Sequence, residues 1–496
     1  MTKARNFKTF GKSKFTFFHL STFVLTFVSY TLFHASRKTF SNLKATITEE
    51  WMPSCDITNH TCEKLKPDHI WNDHEFFHDE SDSKIFLGIL DATFLAAYSI
   101  GLFISGILGD RFDLRYVLFL GMTLSSICMF LFGVLSEWLS IYNKVWYVTF
   151  WIINGFAQST GWPAVVAVMG NWFPKSGRGL IFGIWSANAS VGNILGALMV
   201  ASILNYGYHY AFLLSSTVFF AGGILVFFGL IPSPKDIGLA DPDADSDTEH
   251  EQEETSRSDN IEQPLINHEE SKPIGFFQAL FLPGVIMYSL CYACLKMINY
   301  SFLFWLPFYL TNKFKWSESV ADQISIWYDV GGIFGGIIGG YVSDLIRKRS
   351  VVIFFLLTFA IPSLYIFSDS PNNKLMNAFL MSIVGFFIGG AANMISATIT
   401  ADLGKQGPIQ GNKEALSTVT GIVDGTGSIG AALGQLFVPL IQSKFNWFYV
   451  FYFFIALCIL TNLCIVPLFN REAKELYVAF KTRQRYRPVN AESDDE

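Results

Sequence analysis

The feature that most constrains this chain is a succession of twelve nearly uncharged apolar runs. They lie at about 15–36, 85–109, 116–138, 145–170, 180–204, 211–231, 285–311, 321–343, 350–368, 375–400, 416–440 and 448–469. A bilayer core about 30 Å thick takes roughly 20 residues of helix. Backbone groups in lipid must be satisfied within their own segment, so runs of this length are read as helices. The expected fold is an all-α polytopic membrane protein with twelve transmembrane helices. Only 15% of residues are charged, against roughly 25% in soluble domains. A net charge of -6 excludes a nucleic-acid binder, and seven cysteines in 496 residues make no disulfide scaffold. The first run is too long for a cleavable leader and lacks a small-residue cleavage site.

Lys and Arg set the orientation, because short cytosolic loops carry them in excess. An even number of spans puts both termini on one side. That side holds Lys3, Arg5, Lys8, Lys12 and Lys14, then Arg111, Arg115, Lys175, Arg178, Arg347, Lys348, Arg349, Lys405 and Lys413. The opposite short loops offer Lys144, Lys313, Lys315, Lys374 and Lys444. Both termini are therefore expected in the cytosol: a basic segment 1–14 and a tail 470–496. The 47–84 loop then faces the lumen or exterior, where the sequon at Asn59 and the pair Cys55 and Cys62 suit a glycan and a short-range disulfide. Sequons at Asn188 and Asn299 fall inside spans and are expected to stay bare.

Residues 232–273 are acidic and poor in large apolar groups, with DPDADSDTEHEQEE at the centre. Such a segment buries too little to fold. It reads as a disordered cytosolic linker between a six-helix half at 15–231 and another at 274–469. The halves repeat weakly. Asp91, Ile100 and Gly101 recur as Asp329, Ile338 and Gly339; Ser190, Gly192, Gly196 and Leu198 recur as Ser428, Gly430, Gly434 and Leu436. Gly106-x-x-x-Asp110-(x)4-Arg115 recurs as Gly340-x-x-x-Asp344-(x)4-Arg349. Duplicated halves around a midplane site are the pattern of rocker-type transporters.

Three look-alike motifs carry no chemistry here. His74-Glu75-Phe76-Phe77-His78 fits a zinc-protease pattern, but its luminal segment is too short for a catalytic domain. Gly425-Thr426-Gly427-Ser428-Ile429-Gly430 has no preceding strand, so helix packing replaces dinucleotide binding, as for Gly331, Gly335 and Gly339. Cys291 and Cys294 stand inside a span, where packing outweighs redox or metal chemistry. No cofactor, metal or soluble catalytic domain is expected.

Charges inside spans cost roughly 2.5–3.5 kcal/mol each on insertion scales and mark functional sites. Lys296 stands twelve residues past Gly284, about 18 Å into its helix and too deep to snorkel easily. Arg37 and Lys38 lie inside or at the interface, depending on where the first helix starts. Asp91, Asp329 and Asp424 are the acidic counterparts, each open to a role as ion-pair partner, proton site or gate. Deep cations beside Tyr30, Tyr98, Trp162 and Tyr300 suit a small anion, and Arg with Lys suits a phosphoryl group.

The ten residues Gly106 to Arg115, with Asp110 and Arg111 at their centre, resemble the loop 2–3 motif of the major facilitator superfamily. His34 to Ser41 (HASRKTFS), Gly155 to Pro163 (GFAQSTGWP), Ser190 to Gly196 (SVGNILG), Ser396 to Gly404 (SATITADLG) and Asp424 to Gly434 (DGTGSIGAALG) resemble its organophosphate:phosphate antiporters. The similarity is greatest to the sugar phosphate exchangers related to the glucose-6-phosphate transporter, over essentially all twelve spans. The resemblance implies alternating access, with inorganic phosphate and a phosphorylated metabolite competing for one basic site. Arg37 becomes the main phosphate clamp, with Lys38 beside it and Tyr30 and His34 on the same helix face. Tyr98 and Trp162 match the family's helix 2 Tyr and helix 4 Trp. Asp110, Arg111 and Asp344 take latch or gating roles. In several relatives the helix 7 cation stands where this chain has Asn299; here Lys296 precedes that position by three residues, about 4.5 Å along the helix. That shift puts glucose 6-phosphate as substrate in question.

The functional expectation is exchange of a phosphorylated or phosphonate-like organic anion against inorganic phosphate. The alternatives are proton-coupled anion symport, motivated by Asp424, His34 and the intramembrane aspartates, and a non-transporting sensor or scaffold. Expected partners are the small anion, inorganic phosphate and membrane lipid; an accessory membrane subunit is neither required nor excluded by the chain. The family implies the endoplasmic reticulum. Tyr486-Arg487-Pro488-Val489 adds an endolysosomal alternative.

Overall fold

The computed structural model describes residues 16–51, 54–56, 61–63, 80–174, 178–239, 275–316, 318–405 and 415–485. The Asn59 sequon, the His74–His78 segment, the acidic centre of the linker and Tyr486 lie outside these residues.

The described residues form twelve helical rods. The N-terminal six are α1 (Phe17–Glu50), α2 (Glu80–Arg111), α3 (Leu114–Trp138), α4 (Lys144–Gln158 and Gly161–Trp172), α5 (Arg178–Ile203) and α6 (Tyr208–Gly229). The C-terminal six are α7 (Val285–Phe314), α8 (Glu318–Ile346), α9 (Arg349–Ser368), α10 (Lys374–Leu403), α11 (Leu416–Lys444) and α12 (Trp447–Arg485). Eight of them are long and apolar enough to cross a membrane on composition alone. The other four are α4, α7, α8 and α11. A turn at Ser159–Thr160 divides α4 into short pieces, and Lys296, Asp329 and Asp424 interrupt the apolar runs of the other three. These four polar or broken rods all contribute to the site below.

Each half has its own buried cluster, one centred on α1–α6 and one on α7–α12. Where lipid removes the hydrophobic drive between helices, small residues let backbones approach. A Cβ on Gly335 of α8 would lie 2.0 Å from the Phe386 carbonyl oxygen of α10, and one on Gly385 2.0 Å from that of Tyr328. The Gly425–Gly430 motif packs in the same way: a Cβ on Gly430 would lie 2.1 Å from the Ala293 carbonyl oxygen of α7. Cys291 is buried and Cys294 half-buried, both as free thiols.

Local irregularities fall where the chain turns toward the centre. The second piece of α4 begins Gly161-Trp162-Pro163; Pro in a first turn gives up only a donor that would have no intrahelical partner. In α10 a π-helical stretch, Met394–Ile399, interrupts the α geometry, a feature often found at functional sites.

Two boundaries differ from the hydropathy reading. The first helix extends to Glu50, so Arg37 and Lys38 lie well inside it. The final helix continues past the apolar run to Arg485, because its Arg, Lys, Glu and Ala are good helix formers without being apolar. That extension docks on the start of α9, where Glu472 accepts from the Ser350 N–H at 2.9 Å and Glu475 pairs with Lys348. In the 47–84 loop, Ser54–Asp56 and Thr61–Glu63 form a two-stranded antiparallel ribbon that sets Cys55 opposite Cys62.

Candidate functional site

Helix α1 supplies Arg37 and Lys38. Its residues His34, Arg37, Lys38 and Ser41 line a cavity. Asp91 and Tyr98 from α2, Asn154 and Gln158 from α4, Asn193 from α5, and Tyr300 and Phe304 from α7 complete much of the wall. Both halves contribute to it.

Arg37 is oriented by an amide and by aromatic rings. Its Nε donates to Gln158 Oε1 at 2.6 Å, and its guanidinium carbon lies 4.5 Å from the centre of the Tyr98 ring. Gln158 is itself fixed, its amide donating to Ser36 and Ser125 hydroxyls at 3.0 and 3.3 Å. One terminal nitrogen of Arg37 is buried without a hydrogen-bond partner. A buried unsatisfied donor on a cation costs more than a neutral one, and a phosphoryl oxygen is the group that would satisfy it.

Lys296 sits deeper, behind the cavity wall and 2% exposed. Its ammonium donates to Asp424 Oδ1 at 2.7 Å and Ser428 Oγ at 2.8 Å, and is ringed by Tyr98, Tyr292 and Tyr300 at 5.1–5.8 Å. It reaches α11 because Gly427 leaves room; a Cβ there would lie 3.1 Å from Lys296 Cδ. Tyr98 links the two cations. Its ring faces Arg37, and its hydroxyl points at Asp424 Oδ2, 3.5 Å away in the other half.

The remaining candidates fall into place around this core. His34 Nδ1 lies 3.2 Å from Asn193 Oδ1. Tyr30 packs behind the wall, its ring 4.6 Å from that of Trp162, whose Nε1 donates across halves to the Ser396 carbonyl at 3.1 Å. Asn299 points away from the cavity and accepts from the Tyr328 hydroxyl at 2.6 Å. Each intramembrane aspartate has a partner: Asp424 holds Lys296, Asp91 holds Lys44, and Asp329 accepts from Ser190 Oγ at 3.0 Å.

At the end bearing the termini, the two copies of the G-x-x-x-D motif act reciprocally. Asp110 of α2 accepts from the Ser417 and Thr418 backbone N–H groups at 2.8 and 2.6 Å, capping α11. Asp344 of α8 accepts from the Gly179 and Leu180 N–H groups at 3.1 and 2.9 Å, capping α5. Each carboxylate thus meets the positive end of a helix dipole in the opposite half. Arg178 pairs with Asp402 at 2.8 Å, and Arg349 bridges Asp344 and Asp402 at 2.6 and 3.1 Å. Arg111 is exposed beside this latch. The halves are closed at that end, and the cavity lies beyond the closure, toward the end of α1 and the start of α2.

Sequence reasoning did not single out Gln158, Asn193, Lys44 or the Arg178–Asp402–Arg349 network. Lys44 had a usable signal, standing seven residues after Arg37 on the same helix face. Gln158, Asn193, Asp402 and Arg349 stand in motifs quoted above, but their pairings carry no sequence signal, because the partners are more than 50 residues away.

The Major Facilitator Superfamily model matches residues 20–411. The chain is 54% identical to sugar phosphate exchanger 3 of Xenopus laevis and 53% identical to that of Homo sapiens, in each case over 93% of this chain and 94% of the relative. It is 36% identical to the glucose-6-phosphate exchanger SLC37A2 of Xenopus laevis, over 91% of this chain and 93% of that one. Among solved structures, the human organic anion transporter MFSD10 superposes with a TM-score of 0.64 at 12% identity, covering 90% of this chain and 99% of that one. The proton:xylose symporter XylE superposes with a TM-score of 0.62 at 13% identity, covering 91% and 96%. The duplicated helical halves, the reciprocal latch and these relatives make the chain a member of the major facilitator superfamily, grouped with its sugar phosphate exchangers.

Proposed function

We propose that this membrane transporter exchanges a sugar phosphate against inorganic phosphate by alternating access, with Arg37 as the anion anchor. The observation that carries the reading is the buried, unpartnered guanidinium nitrogen of Arg37, oriented by Gln158 and Tyr98 in a cavity both halves build. Lys296 supplies a second positive charge, paired with Asp424. The anion then replaces part of that pairing, and the cap contacts of Asp110 and Asp344 break as the latched end opens.

The same reading places both termini in the cytosol and the 47–84 loop in the lumen of the endoplasmic reticulum, or of endolysosomes if Tyr486 directs sorting. A glycan on Asn59 and a Cys55–Cys62 disulfide belong to it, and the cross-strand register of the two cysteines supports the pairing.

Purified protein in phosphate-loaded liposomes tests the function. Labelled phosphate should enter only when phosphate or a sugar phosphate is present inside. Uptake driven by an imposed pH gradient into vesicles without an internal anion would favour proton-coupled symport. Correctly folded protein that moves no phosphorylated anion would favour a sensor.

A further inference from the structure

The cavity does not end at Arg37. It continues along α1 past Ser41 to Asp91 of α2, whose carboxylate pairs with the Lys44 ammonium. Arg37, Ser41 and Lys44 stand at i, i+4 and i+7, one face of the helix. Arg37 and Lys44 are therefore about 10 Å apart along its axis. The pair is half-open, with side-chain exposures of 28% for Lys44 and 24% for Asp91. Lys44 also lies 5.9 Å from the Phe304 ring of α7, so both halves frame this end.

Inorganic phosphate fixed on Arg37 is far too small to reach the pair. A hexose phosphate spans about 8 Å from phosphorus to its farthest hydroxyl, at about 1.2 Å of advance per bond, and a hydrogen bond of about 2.8 Å beyond that hydroxyl brings its reach to the length of the Arg37–Lys44 separation. A hydroxyl both donates and accepts, so it can donate a hydrogen bond to Asp91 and accept one from Lys44. Ser41 and Asn154 also line the cavity, with further donors and acceptors. Bonds to ionised groups are the stronger class and discriminate best when left unmade.

We propose that the Lys44–Asp91 pair is a specificity subsite that reads the distal hydroxyls of a phosphate ester anchored at Arg37, and so selects esters of hexose length. This rests on the proposed exchange function, with the phosphoryl group at Arg37. It assigns Asp91 to substrate selection.

The test compares phosphate:phosphate self-exchange with hexose phosphate:phosphate and glycerol phosphate:phosphate exchange, in wild-type protein and in Asp91→Asn and Lys44→Gln. Wild-type protein should take hexose phosphate about ten-fold or more better than glycerol phosphate. Asp91→Asn should erase most of that preference through the hexose phosphate KM, lowering hexose phosphate exchange several-fold more than phosphate self-exchange. Lys44→Gln should do the same to a smaller extent. Equal loss of all three exchanges in both variants, or an unchanged hexose preference in a variant that still self-exchanges, overturns the proposal. The wild-type length series stands if either variant fails to fold: no preference for hexose over glycerol phosphate also overturns it. Absence of phosphate self-exchange in wild-type protein would instead undo the underlying function.

Discussion

Lys296 and Asp424 offer the sharpest separation of structural from transport roles, because both are almost wholly buried, at 2% and 3% exposure. At 2.7 Å and an effective dielectric constant of about 20, their attraction is about 6 kcal/mol. Desolvation of the two ions opposes this by several kcal/mol each, so the pair contributes little net stability over an apolar pair of similar volume. Removing one partner is different, since the survivor stays buried and uncompensated at a cost of about 3–5 kcal/mol. Asp424→Asn and Lys296→Met should therefore each lower the unfolding temperature in detergent. Lys296→Met with Asp424→Leu should recover most of that loss. Exchange should not recover, because the second cation is gone. Tryptophan fluorescence on heating gives the stability ranking, and proteoliposome phosphate exchange gives the function. If the double change is no more stable than the worse single change, the two charges are not energetically coupled as argued. If it exchanges phosphate at the wild-type rate, Lys296 has only a packing role.

Three further outcomes follow from the same geometry. Arg37→Ala should abolish exchange, a loss of about 2–5 kcal/mol of anion binding, and Arg37→Lys should rescue poorly because an ammonium lacks the planar fork oriented by Gln158; wild-type exchange in Arg37→Lys would refute the anchor. Asp110→Asn removes the charge at the N-terminus of α11 and should cost the latched state about 0.3–1 kcal/mol. Spin labels at the exposed positions Tyr116 and Leu345 should then show a longer-distance population, and an unchanged distribution would contradict the latch. Gly335→Ala should lower folded yield sharply, because its Cβ meets a carbonyl oxygen at 2.0 Å, whereas at Gly332, where the nearest atom is 3.6 Å away, Ala should be tolerated; equal tolerance at both would mean the α8–α10 contact can relax.

Much of this protein is written locally in its chain. Apolar runs of bilayer length, Lys and Arg at their ends and two copies of one Asp-containing turn determine twelve helices in two related halves. They do so because hydropathy and insertion act on each segment as it stands. Charges within those runs are visible for the same reason, so Lys296 and Asp424 stand out against their apolar neighbours in the chain itself, whereas Arg37, just past the first run, is marked only by the family resemblance. What the sequence leaves open is which charge meets which. Lys296 and Asp424 are 128 residues apart, and Arg37 and Gln158 are 121 apart. Their meeting depends on the rotation of each helix about its axis and on how closely the backbones approach. Glycines such as Gly427 and Gly430 set that approach, and their effect appears only when the facing helix is in place. Asn299 shows the same limit. Its position in the sequence suits a cavity residue, but the packing of α7 on α8 turns its side chain to Tyr328. The tertiary structure alone decided that Arg37 keeps a donor free for an anion while Lys296 is already paired.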